Sequence, residues 1–174
     1  MKHLVKFFVV TFFMLICTYS LAEQKVVYID LKFVLNNSKA GKGAQDYLKK
    51  TFKSKQDKFT KMEKTLKKEE ENLIAKKSEI SQEEYKKQAD ALRKKVVEYQ
   101  AERRKSLEKI TKQRAEARNT LLQKLDPILV NYINENNVSM VLDKKNVIAG
   151  KNNVDITNII VEKLNKELPS LNLK

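Results

Sequence analysis

Helix-breaking residues are scarce in this chain: it has only three glycines (Gly41, Gly43 and Gly150) and two prolines (Pro127 and Pro169). The 83 residues from Ala44 to Asp126 contain neither. That stretch is rich in Lys, Glu, Gln, Ala and Leu, which are good helix formers, so nothing local interrupts a helix there. The one cysteine is Cys17 and the one histidine is His3. Beyond residue 22 there is thus neither thiol nor imidazole. This excludes a disulfide framework, a Ser-His or Cys-His nucleophile, and an imidazole or thiolate metal site.

The N-terminus explains where those two residues go. "MKHLVK" is a short basic region, "FFVVTFFMLIC" is an apolar run, and "SLA" places Ser20 and Ala22 at the −3 and −1 positions of a cleavage site. The apolar run is shorter than the roughly 20 residues a membrane-spanning helix needs. The pattern predicts a cleavable signal peptide over residues 1–22, with cleavage after Ala22; an uncleaved anchor is the alternative. Ile16 precedes Cys17, where a lipoprotein signal wants a small residue. The chain is expected to be exported.

Charge is placed unevenly. Residues 42–124 hold 25 Lys and Arg against 14 Asp and Glu, a net +11. The remainder of the chain after residue 22 holds 9 against 8, a net +1. Disorder is one reading of so charged a middle segment, but its apolar residues are periodic. Phe52, Phe59, Leu66, Leu73 and Ile80 recur every seven residues, with Leu48 and Met62 at matching d positions. Further on, Tyr85, Ala89, Leu92, Val96 and Tyr99 step by four and three until Arg103. These are sparse coiled-coil seams.

One straight helix over this stretch would be about 125 Å long. A turn is favoured. Ser81 can cap a new helix with Glu84 as the reciprocal partner of a capping box, and Ile80 and Tyr85 are spaced for a hydrophobic staple. Two antiparallel arms of roughly 60 Å each follow, with the tip near residues 78–81.

The segments flanking the hairpin differ in character. "KVVYIDL" (Lys25 to Leu31) reads as a strand apolar on both faces. "VSMVLD" and "NVIAG" read as two further strands around a Lys144-Lys145 turn. Asp126-Pro127 is read as opening a helical segment to Asn136. "DITNIIVEKLNKEL" reads as a closing amphipathic helix capped by Asp155 or Thr157. The fold class is therefore α+β, mainly α: a long antiparallel helical coiled-coil hairpin (42–124) projecting from a small β body (23–41 and 125–174). A body that small with a two-faced strand calls for oligomerisation, with Val27, Ile29, Leu31, Met140 and Leu142 expected as core or interface.

Other motifs carry less. "AGKGAQ" lacks the G-x-x-x-x-G-K-[ST] spacing of a phosphate loop and reads as the start of a helix. The arm carboxylates recur among lysines, as in ion-paired polar faces, so no catalytic site, cofactor or metal is expected. Lys-rich helices can neutralise nucleic-acid phosphates. The arms, however, lack an aromatic stacking platform, and an exported chain rarely meets nucleic acid, so none is expected physiologically.

The blocks "KVVYIDLKFVLNNSKAGKGAQ" and "VSMVLDKKNVI…NNVDITNIIVEKLN", together with the Lys/Glu/Gln-rich hairpin between them, resemble the Skp/OmpH family of periplasmic chaperones over essentially the whole chain after residue 22. One departure is Lys39, where family members often have Pro. The resemblance implies a homotrimer whose bodies share a β-barrel and whose arms surround a cavity. It implies an ATP-independent holdase in the periplasm that keeps unfolded outer-membrane β-barrel proteins from aggregating. Contact with lipopolysaccharide or anionic lipid is a further expectation, with Lys76, Lys77, Lys86 and Lys87 near the tip as candidate contacts for client or lipid. A structural or scaffolding coiled coil that binds a folded partner or the envelope surface is the alternative.

Overall fold

The computed structural model describes residues 24–173. The expected signal peptide, with its cleavage after Ala22, lies outside the described residues.

Strand β1 (Lys25–Ile29) leads at once into helix α1 (Leu31–Asn37). The strand is shorter than the sequence suggests, because Asp30 caps a helix: its Oδ1 accepts the Phe33 N–H at 2.7 Å. Leu31, expected in the strand, is the first residue of α1 and packs against the core half-buried. At Ser38 the chain breaks and restarts as α2 (Lys39–Ala75). The fully buried Ser38 uses its hydroxyl to accept the Gly41 N–H at 3.1 Å. Gly41 is required by this packing, since a Cβ there would lie 1.9 Å from the Leu35 carbonyl oxygen. The "AGKGAQ" stretch is thus the opening of a helix, as its sequence suggests, packed at Gly41 against the end of α1.

Helix α2 runs outward for 37 residues, about 55 Å, and ends in a single 3-10 turn at Lys76–Ser78. Helix α3 (Gln82–Glu135) returns for 54 residues, about 80 Å. Ser81 caps it, its Oγ accepting the Glu84 N–H at 3.2 Å. The reciprocal half of the expected capping box is not made: the Glu84 carboxylate accepts from Gln88 Nε2 at 2.9 Å instead. A second correction concerns Pro127, which opens no new helix but sits inside α3. An internal proline costs about 3 kcal/mol through its missing N–H and ring clash. Leu121, Leu125, Ile128 and Tyr132, all buried on the inner face around it, supply the compensating apolar burial. Helix α3 ends where Asn137 adopts φ 51°, the left-handed conformation that Asn tolerates after a helix.

Strand β2 (Val138–Asp143) follows and pairs with β1 in parallel, Val26 with Met140, Val27 with Val141 and Tyr28 with Leu142. The crossover between these strands is the entire hairpin. The expected third strand at Asn146–Gly150 does not form. Asp143 accepts the Lys145 N–H at 3.2 Å and Val147 donates to the Lys144 carbonyl, which curls the chain into a 3-10 turn (Lys144–Asn146). The other edge of β1 is met further on: Tyr28 bridges to Asp155 and its carbonyl accepts the Ile156 N–H.

Helix α4 (Thr157–Glu167) closes the core. Its N-cap is Ile156, without a side-chain cap, so neither expected capping residue occupies that position. Asp155 still serves the first turn, its Oδ1 accepting the Thr157 N–H at 3.0 Å, while the buried Thr157 hydroxyl accepts the Asp30 N–H at 2.8 Å. That bond ties together residues 127 positions apart. Val27, Ile29, Val34, Leu125, Ile156, Ile160 and Leu164 form the heart of one core, contributed by both chain ends and the base of the hairpin.

Candidate functional site

The long helices meet along a seam that is tight in places and open in others. Among the seam positions expected from the heptads, Phe59, Leu73 and Tyr99 are buried, while Met62, Leu66, Ile80, Tyr85, Leu92 and Val96 are half-buried. Phe52 is 44% exposed. The best-packed contact is aromatic: Phe59 and Tyr99 meet edge-to-face, ring centroids 6.0 Å apart at 71°, a preferred geometry for ring quadrupoles. The Tyr99 hydroxyl donates to Glu63 at 3.4 Å. Lys58 pairs with Glu102 across the arms, and Lys95 with Glu69 at 2.7 Å. The hydrogen bond from Lys58, aided by nearby lysine charge, holds the Glu102 carboxyl below its ordinary range. These pairs are well exposed, so each contributes little to stability.

The seam of α3 extends beyond what apolar spacing alone reveals. The four-three stepping that brings Tyr85 to Tyr99 continues through Arg103, Ser106, Ile110, Gln113 and Ala117. Ile110, Gln113 and Ala117 are buried. Only the stepping itself, carried across two polar residues, could have found them. Arg103 and Ser106 leave the seam unfilled, because a guanidinium resists burial and a serine is too small to reach across. A cavity of about 150 Å³ opens there, lined among others by Phe52, Phe59, Tyr99, Arg103 and Leu107. A shallower groove of about 640 Å³ adjoins it towards the base, with Leu48, Lys49, Arg114 and Arg118 in its lining and Phe52 as the shared wall.

Around this seam the arm surface is basic and dotted with apolar side chains. Ile74, Val97 and Leu107 are exposed along with Phe52. At the tip, Lys76, Lys77, Lys86 and Lys87 are all exposed, and the Lys77 ammonium lies 5.9 Å from the centroid of the Tyr85 ring. Salt bridges engage Lys58, Arg93, Lys95 and Lys112 among the arm's cations. The surface therefore offers long-range attraction for anions and short-range contacts for apolar groups.

The sheet presents a different surface. Val27 and Ile29 are buried in the core, whereas Met140 and Leu142, expected there as core or interface, are exposed in the single chain. Period-two alternation puts Val26, Met140 and Leu142 on the face away from the core. Tyr28, on that same face, is covered: Lys144 lies over its ring at 5.8 Å, and a Cβ on Gly150 would come within 2.8 Å of it. Among the described residues no cluster of His, Cys, Asp and Glu could hold a metal ion, and no helix is long and apolar enough to cross a membrane.

The family model for OmpH-like outer membrane proteins matches residues 25–164. A comparison with curated proteins gives no match. Among solved structures, the fold is similar to that of an OmpH-like candidate outer membrane chaperone from Caulobacter crescentus CB15. The TM-score is 0.79 at 23% identity, over 88% of this chain and 91% of that one; at that identity the likeness bears on the fold. The family match runs from the first residue of β1, through both long helices and β2, into the last buried turn of α4. With that coverage, the chain belongs to the OmpH-like outer membrane protein family.

Proposed function

We propose that this protein is an ATP-independent holdase of the periplasm that captures unfolded outer-membrane β-barrel proteins between its arms and keeps them from aggregating. The observation that carries the reading is the arm surface, with a net +11 over residues 42–124 and Phe52, Ile74, Val97 and Leu107 exposed within it. A folded partner would require one complementary patch, whereas a broad basic surface attracts an acidic chain with no fixed shape. Solvent-exposed charges act over about 8 Å at physiological salt, so attraction mainly speeds encounter while apolar contacts govern release.

The uncovered face bearing Val26, Met140 and Leu142 supports assembly through the sheet, and in our reading three copies join there. The tip lysines Lys76, Lys77, Lys86 and Lys87 are proposed to meet acidic client segments, and anionic lipid or lipopolysaccharide by the same chemistry. The test is binding to one outer-membrane protein, urea-unfolded and then folded in detergent, across a salt series without nucleotide. Preference for the unfolded form, with salt slowing capture more than it hastens release, is expected. Equal affinity for both forms would replace the holdase with a scaffold that recognises a folded surface.

A further inference from the structure

We propose that the cavity bounded by Phe52, Phe59, Tyr99 and Leu107 is a reading site for one aromatic side chain, flanked by acidic residues, in an unfolded client segment. The inference rests on the holdase reading and adds the class of segment preferred. Its first support is size. The cavity measures about 150 Å³, and an apolar protein cavity of roughly that volume is large enough to admit benzene. Its second support is the lining. Phe59 and Tyr99, already edge-to-face at 6.0 Å, form a rigid aromatic floor, braced by the bond from the Tyr99 hydroxyl to Glu63. Phe52 and Leu107 form walls that stay 44% and 45% exposed, which leaves the mouth of the cavity open to solvent. A third ring seated there gains the same edge-and-face complementarity, and Arg103 at the rim can add a cation–π contact.

Charge around the cavity identifies the neighbours of that ring. Lys55 and Arg103 line the cavity. In the adjoining groove Lys49, Arg114 and Arg118 stand against a single acid, Asp46. Among the described residues, Lys49, Arg103, Arg114 and Arg118 take part in none of the salt bridges. The Glu63 carboxylate, the one acid of the cavity lining, already accepts from Tyr99. An extended chain with its ring in the cavity would run along the groove past these cations, which favour acidic residues beside the ring. The gap itself follows from Arg103 and Ser106 at seam positions, so it is built into the heptad rather than dependent on the arms parting.

The full-length protein, with its Phe and Tyr rings isotope-labelled, is titrated by NMR with three capped peptides: Glu-Phe-Glu, Glu-Ala-Glu and Lys-Phe-Lys. We expect Glu-Phe-Glu to shift the Phe59 and Tyr99 ring signals at concentrations about tenfold below either control, the factor for partly burying one ring. Phe52→Ala removes a wall and Leu107→Trp fills the cavity, both at exposed positions where the fold persists, and each should abolish the shift. Arg103→Ala should erase the preference for Glu over Lys. Equal response to Glu-Ala-Glu, or to Lys-Phe-Lys, or indifference to both wall variants, would overturn the proposal. The same preparations are assayed for suppressing aggregation of a urea-diluted outer-membrane protein. Suppression with indifferent peptides removes the reading site and keeps the holdase; peptide binding as expected without suppression keeps the site and removes the holdase.

Discussion

Two glycines near the start of α2 invite the same substitution and should answer it with opposite signs. In an isolated helix, Gly→Ala is worth about 1 kcal/mol of added stability at either Gly41 or Gly43. At Gly43 a new Cβ meets nothing within 4 Å, so that gain should be realised. At Gly41 the Cβ would lie 1.9 Å from the Leu35 carbonyl oxygen, about 1.5 Å inside an ordinary contact, and 2.9 Å from Ser38 Oγ. Backbone must move to relieve it, at a junction where Val34, Ser38 and Ala40 are fully buried. Overpacking a tight site costs about 1–3 kcal/mol, and a clash against backbone belongs at the upper end. Net of the propensity gain, Gly41→Ala should destabilise by about 2 kcal/mol. For a chain of this size that lowers Tm by about 4–8 °C, whereas Gly43→Ala should raise it by about 2–4 °C. Calorimetry at one fixed protein concentration measures both, since assembly would make Tm concentration-dependent. A Gly41→Ala protein as stable as the parent would refute the packing argument.

Other expectations follow from the same structure. Ser81→Ala removes the cap on α3 and should loosen the tip by about 1 kcal/mol; amide exchange should quicken near residues 76–85 and nowhere in the core. Met140→Asp places a charge on the uncovered sheet face and should yield a helical but dissociated chain by sedimentation; unchanged mass would show that this face is not the interface. Reversing Lys76, Lys77, Lys86 and Lys87 to Glu should slow client capture in stopped-flow mixing while circular dichroism stays the same. Burial pushes the Asp155 carboxyl up, but bonds from Thr157 and Lys144 outweigh it and hold it below its usual value of 3.8. Its folded pKa being depressed, its contribution is complete above the unfolded pKa and is lost as pH falls through the folded one. Below about pH 4 the native protein should therefore weaken, and Asp155→Asn should flatten that dependence; identical acid midpoints would dismiss the role of this carboxyl.

Sequence by itself determined the long helical hairpin and its polarity of charge. Without Gly or Pro between Ala44 and Asp126, propensity and seven-residue periodicity are local properties, and no distant contact was needed to read them. The Ser81 cap was legible for the same reason: its partner, the Glu84 amide, is three residues away. Tertiary structure decided what local pattern could not. Pro127 reads as the opening of a new helix, yet it lies inside α3, where buried neighbours on one face outweigh the bond it forfeits. The "NVIAG" segment has strand-like residues, but bonds to Asp143 and the Lys144 carbonyl curl the chain after β2 into a 3-10 turn instead of folding it back along the sheet. The seam beyond Tyr99 was hidden because Arg103 and Ser106 break its apolar spelling while keeping its register. The aromatic cavity was hidden too, for a void belongs to two helices at once. Its walls, Phe52 and Leu107, lie 55 positions apart, and only the alignment of the two arms brings them face to face.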